Sequence, residues 1–81
     1  MSSYYNKTMQ HNDIHLKLGN KIKYERMKRH WSQEKLAEAS DLSMRSISLL
    51  ECGKNDVRFS TLSKLAKAFD MEVSALVDFR L

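Results

Sequence analysis

Six basic side chains crowd the stretch from Lys17 to Arg29 (Lys17, Lys21, Lys23, Arg26, Lys28 and Arg29), with one acid, Glu25, among them. Such a run can attract a polyanion, although solvated helix faces carry charge in the same way. Groups that could catalyse or hold a metal are sparse. Cys52 is the sole cysteine, so no intrachain disulfide can form and the usual zinc ligand sets are missing. His11, His15 and His30 have no ligand spacing with carboxylate or thiol partners. There is no nucleophile–base pair and no phosphate-cradling glycine loop. The expectation is a chain that is not an enzyme and carries neither metal nor cofactor. A second set of residues points to a different chemistry. At helical spacing, Met44, Arg45, Ser48 and Leu49 fall on or near one face of the segment 44–52, and Ile47, Leu50 and Glu51 on the other. A helix fits the major groove of B-DNA, where its exposed side chains reach base edges. The chemistry this set could perform is the non-covalent reading of DNA.

The elements that would position these residues are short helices. A chain of 81 residues allows one domain with a modest core, and its 42% hydrophobic content is ordinary for one. Proline is absent and glycine occurs twice, which argues against a hairpin-rich β fold. Fourteen Lys and Arg against ten Asp and Glu leave a formal net charge of +4. Residues 1–12 are polar and aperiodic and are expected to be a flexible tail. Residues 13–81 would form a compact all-α bundle of five short helices. Asn12 or Asp13 would cap the first helix, with Ile14, Leu18, Ile22 and Arg26 on one face and an end near Arg29 or His30. Ser32 would cap a second, Gln33 to Ser40, with Trp31 stapled onto Leu36. Asp41 would take the left-handed conformation of a tight turn, and Leu42 would plug it. Ser43 would cap a third, Met44 to Cys52, ended by Gly53. Ser60 would cap a fourth with the stripe Leu62, Leu65, Ala66 and Phe69, ended at Asp70. Val73, Leu76 and Val77 would begin a fifth, followed by Phe79 and Leu81. No apolar run approaches membrane-spanning length and no signal-peptide core opens the chain, so a cytoplasmic protein is expected.

Helix, tight turn, helix is the informative pattern. The first helix of such a pair braces the second by crossing it closely, which requires a small residue at the contact, here Ala37. Apolar residues must lock the pair, here Leu36, Leu42, Ile47 and Leu50. In order and spacing, Ser32-Gln33-Glu34-Lys35-Leu36-Ala37-Glu38, Leu42-Ser43 with Ile47 and Ser48, Glu51-Cys52-Gly53-Lys54, and Thr61-Leu62 with Leu65-Ala66-Lys67-Ala68-Phe69 resemble the phage repressor and Cro family of helix-turn-helix domains, the lambda-repressor-like fold. The likeness covers residues 18–77. Short versions of that fold also resemble restriction–modification controller proteins and some antitoxins.

The resemblance implies roles. Gln33, opening the bracing helix, would hold a phosphate with nearby backbone amides. Met44, Arg45 and Leu49 stand at base-reading positions. Ser43, Ser46 and Ser48 could touch phosphate or bases, and Lys54 and Asn55 would grip phosphate. Arg26 and Glu51 would form a structural ion pair. The sequence departs from the pattern at Asp41, where Gly is usual, at Leu49 and Cys52, where polar or basic residues are common, and at Val57, where Pro is frequent. The expected function is sequence-specific binding of double-stranded DNA by a small transcriptional regulator. It would act as a homodimer on a palindromic operator, joined through Val73, Leu76, Val77 and Phe79. The alternative is a protein-binding module on the same scaffold, such as an antitoxin. A steep loss of binding with salt separates DNA from a mainly apolar protein partner.

Overall fold

The computed structural model describes the backbone of residues 2–79 and the side chains of residues 14–79. The elements are α1 (Ser2–Lys28), α2 (Gln33–Ser40), α3 (Met44–Glu51), α4 (Phe59–Phe69) and α5 (Val73–Leu76), with no strand among the described residues. α1 packs on α3, α4 and α5, α2 packs on α3 and α4, and α4 packs on α5. Leu18 and Ile22 of α1, Leu36 and Ala37 of α2, Ile47 and Leu50 of α3, Leu65, Ala66 and Phe69 of α4, and Leu76 of α5 form one buried core. Trp31, Leu42 and Leu62 pack against it half-buried. Besides this packing, Trp31 stacks on Phe69, with ring centroids 5.9 Å apart.

The starts of α2 and α3 follow local chemistry. Ser32 and Ser43 are extended N-caps whose hydroxyls accept from the backbone amides of Lys35 and Ser46, each at 3.0 Å. Each satisfies one of the amides that a helix start leaves without an intrahelical partner. α4 begins earlier than its expected cap. Arg58, not Ser60, is the capping residue, and its carbonyl accepts from the amides of Thr61 and Leu62 at 3.0 and 3.1 Å. Ser60 lies inside the helix, because the apolar stripe that seats α4 on the core outweighs a single capping preference. α1 likewise starts at Ser2 rather than at Asn12 or Asp13. Residues 2–18 contain neither Pro nor Gly to stop it, and the expected boundary at residue 12 falls within the helix. Ile14, expected beside Leu18 on the buried face, is 58% exposed. The turn after α3 meets α1 at His15 and Leu16 instead.

Four helices end in the same way. The amides of Trp31, Leu42, Lys54 and Met71 reach back five residues to the carbonyls of Arg26, Ala37, Leu49 and Ala66, at 2.8–3.1 Å. The residue before each, respectively His30, Asp41, Gly53 and Asp70, is left-handed, with φ between 58° and 68°. These are Schellman closures, a motif that favours glycine. Only one of the four here is glycine, and Asp41 and Asp70 take the places that the sequence assigned them. Each closure reverses the chain within a few residues, which makes α2 and α3 a crossing pair with a short link.

Candidate nucleic-acid interface

The outward side of α3 is built by exclusion. Ile47, Leu50 and Glu51 are buried. Met44, Arg45 and Ser48 are exposed, and Leu49 is half-buried. Arg45 makes no hydrogen bond or ion pair among the described residues, and it is the only cation of α3. The hydroxyls of Ser43 and Ser46 are engaged with each other: Ser43 Oγ accepts from the Ser46 amide and donates to Ser46 Oγ at 2.9 Å. Beyond α3, Lys54 and Asn55 are exposed on the turn after Gly53. That turn is held to α1 by His15 Nε2 and Asp56 Oδ1, 3.0 Å apart. Behind the α2–α3 turn, Lys64 Nζ lies 3.9 Å from Asp41 Oδ2 and donates to the Asp41 carbonyl at 3.5 Å.

Beneath this face lies a polar lock. Arg26 donates from Nε to Glu51 Oε2 at 2.7 Å, from Nη2 to Glu51 Oε1 at 3.1 Å, and from Nη1 to the Trp31 carbonyl at 2.8 Å. Gln33 Nε2 donates to Glu51 Oε1 at 3.1 Å. The Gln33 side chain is thus tied to the inner pair at the point where α2 begins. Only 13% of the Arg26 side chain and 4% of the Glu51 side chain are exposed. The hydrogen bond to Glu51 raises the Arg26 pKa above its ordinary value, against the opposing effect of burial.

The basic run of α1 serves the fold more than its charge suggests. Glu25, only 3% exposed, sits 3.3 Å from Lys21 Nζ, 3.2 Å from Lys28 Nζ and 2.7 Å from Arg29 Nη1. With Arg26 on Glu51, Lys21, Arg26, Lys28 and Arg29 each pair with a carboxylate among the described residues. Arg29 Nη2 also donates to the Phe69 carbonyl at 2.6 Å, satisfying an orphan acceptor at the end of α4, and its guanidinium lies 4.7 Å from the Phe69 ring centroid. The hub was legible as spacing, since Lys21, Lys28 and Arg29 stand at i−4, i+3 and i+4 from Glu25. Its burial was not.

Burial raises the Glu25 carboxyl pKa, but hydrogen bonds from Arg29, Lys28 and Lys21 outweigh that effect and leave it below the ordinary value of 4.5. A carboxylate whose pKa is depressed on folding contributes stability above its unfolded pKa and loses it as pH falls through the folded one. Glu25→Gln is therefore expected to cost about 1–3 kcal/mol at neutral pH. The gap between variant and parent in melting temperature should close as pH falls below 4.5. A gap unchanged down to acid pH would mean that the ionised carboxylate contributes nothing.

The expected dimer surface needs one correction. Leu76 is 0% exposed and belongs to the core of its own chain, so it is not free to meet a partner. Val77 is 38% exposed, and Val73 and Phe79 are half-buried. Phe79 lines a shallow groove with Lys17, Asn20, Lys21 and Tyr24. The side chain of His11 lies outside the described residues. Among those described, no cluster of His, Cys, Asp and Glu could hold a metal ion, and no helix is long and apolar enough to cross a membrane.

A sequence model of the helix-turn-helix family matches residues 22–76. The chain belongs to the helix-turn-helix family. The match begins at Ile22 and ends at Leu76, both core residues, so it covers the whole of α2 to α5 and the inner end of α1. The control protein C.BamHI of Bacillus amyloliquefaciens is 38% identical over 69 residues, which are 84% of this chain and 85% of that protein. Among solved structures, the restriction-modification controller protein C.AhdI from Aeromonas hydrophila superposes with a TM-score of 0.74 at 32% identity, over 76% of this chain and 94% of that one. The clp gene regulator ClgR from C. glutamicum gives 0.73 at 26% identity, over 79% and 83%. These helix-turn-helix relatives are controllers and regulators, not enzymes, and the five-helix, lambda-repressor-like fold expected from the sequence is the one this chain has.

Proposed function

We propose that this helix-turn-helix chain is a sequence-specific transcription regulator of the cytoplasm that binds double-stranded DNA as a homodimer. In this reading α3 enters the major groove at each half of a palindromic operator. The observation that carries it is the bare outward side of α3, with Met44, Arg45 and Ser48 exposed on a helix whose other side is locked in the core. The Arg45 guanidinium, which makes no hydrogen bond or ion pair among the described residues, suits guanine O6 and N7 as a bidentate donor. Gln33, Ser43, Ser46, Lys54 and Asn55 flank that side and would hold phosphates, with Leu49 at its inner edge. Val73, Val77 and Phe79 would form the contact between copies and set two half-sites roughly 34 Å apart. Two of the three relatives named are controller proteins, which supports a regulator of that kind.

Selection from a random duplex pool tests the proposal. A two-fold repeated motif with a G·C pair in each half is expected, and a pool that stays random overturns it. On the enriched duplex, Arg45→Ala should weaken binding by about 1–3 kcal/mol, roughly 5- to 150-fold, and relax the preference at the guanine. Equal weakening on every sequence would instead make Arg45 a phosphate contact.

A further inference from the structure

We infer that Met44 is a specificity residue that reads the C5-methyl group of a thymine near the guanine addressed by Arg45. The inference rests on the placement of α3 in the major groove and names what that face selects there. The residues at the start of a groove helix are the ones that meet base edges, and α3 starts with Met44 and Arg45. Adjacent helical residues splay about 100° apart, so the two side chains address different base positions. Met44 is 51% exposed, outside the core and at the tip of the reading face. Its neighbour Ser43 donates its hydroxyl to Ser46 Oγ, and both serines stand among the residues that would hold phosphates. An unbranched thioether offers no strong hydrogen bond to a base but adapts its shape to a small apolar group. Among the edges presented in the major groove, thymine alone offers such a group. Leu49, the other apolar side chain of this side, is already half-buried in its own chain and has less surface left to offer.

Replacing thymine by uracil removes the methyl and leaves every hydrogen-bonding group of the base pair in place. The test uses the full chain and the duplex enriched by selection, with each thymine changed singly to uracil. Unmodified protein should lose about fourfold in affinity at one thymine per half-site, the worth of one buried methyl. Met44→Ala, which removes the contact in both copies, should bind the parent duplex about as weakly as the unmodified protein binds a duplex carrying uracil at that position in both half-sites, and should lose nothing further there. Met44 is exposed, so the variant keeps its fold, checked by an unchanged melting temperature. Uracil tolerated at every position overturns the inference while the binding reading stands. A uracil penalty of equal size in Met44→Ala assigns the methyl to another residue and also overturns it. Failure to bind any duplex overturns both.

Discussion

Gly19→Ala lowers the melting temperature by 10 °C or more, against the sign that helix propensity gives. On propensity alone, alanine in the interior of a helix is better than glycine by about 1 kcal/mol, and Gly19 is deep inside α1. Its Cβ, however, would stand 2.5 Å from the Leu50 carbonyl oxygen and 2.8 Å from that of Glu51. Both are backbone atoms at the end of α3, not the free end of a side chain, so relief requires α1 and α3 to move apart. The separation would loosen Leu18, Ile22, Ile47 and Leu50 and stretch the bonds between Arg26 and Glu51. Overpacking costs about 1–3 kcal/mol where side chains can give way. A rigid backbone places this site at or above the top of that range. For a domain of this size each kcal/mol is worth about 4–8 °C. Thermal unfolding followed by circular dichroism reads the result, and a melting temperature equal to or above the parent would show that the helices separate at no cost.

That glycine marks the limit of what the sequence could show. The ends of α2 and α3 were legible because their signals are local: Ser32 and Ser43 cap amides three residues on, and Asp41 and Gly53 tolerate a left-handed backbone. His30 performs the same closure as Asp41, but its residue type carries no such preference strong enough to announce it. Gly19 closes nothing and turns nothing. It is there because α3 passes over it, a reason that exists only in three dimensions. Glu25 is a similar case, an acid whose helical spacing to three cations was visible but whose burial depended on the elements around it. Leu76 failed for want of length. α5 is a single turn, and a stripe cannot distinguish inward from outward over four residues. The apolar scaffold beneath the outward side of α3 was legible because Leu36, Ile47 and Leu50 belong to repeating patterns, whereas the pairing of Arg26 with Glu51 was implied only by the likeness to the repressor and Cro family.

Arg26→Met carries the other large effect, a loss of about 3–5 kcal/mol, the usual cost of removing one partner from a buried ion pair. The substitution deletes three donated bonds at once, two to Glu51 and one to the Trp31 carbonyl. The Glu51 carboxylate remains, buried and, among the described residues, served only by Gln33 Nε2 at 3.1 Å. An unpaired charge, rather than lost packing, is what destabilises this variant, and a second substitution can separate the two causes. Arg26→Met/Glu51→Leu removes the stranded charge as well and should recover most of the lost stability, because a buried pair replaced by apolar residues of similar size is often neutral or better. If lost packing were the cause, the double variant would be no more stable than the single one. The same measurement also separates scaffold from reader. A DNA ligand at position 26 would leave the melting temperature of Arg26→Met unchanged while abolishing binding to the enriched duplex. A scaffold residue lowers the melting temperature first and weakens binding only through the fraction unfolded. With both Arg26 bonds and the Gln33 bond converging on one carboxylate at the end of α3, the scaffold outcome is the expected one.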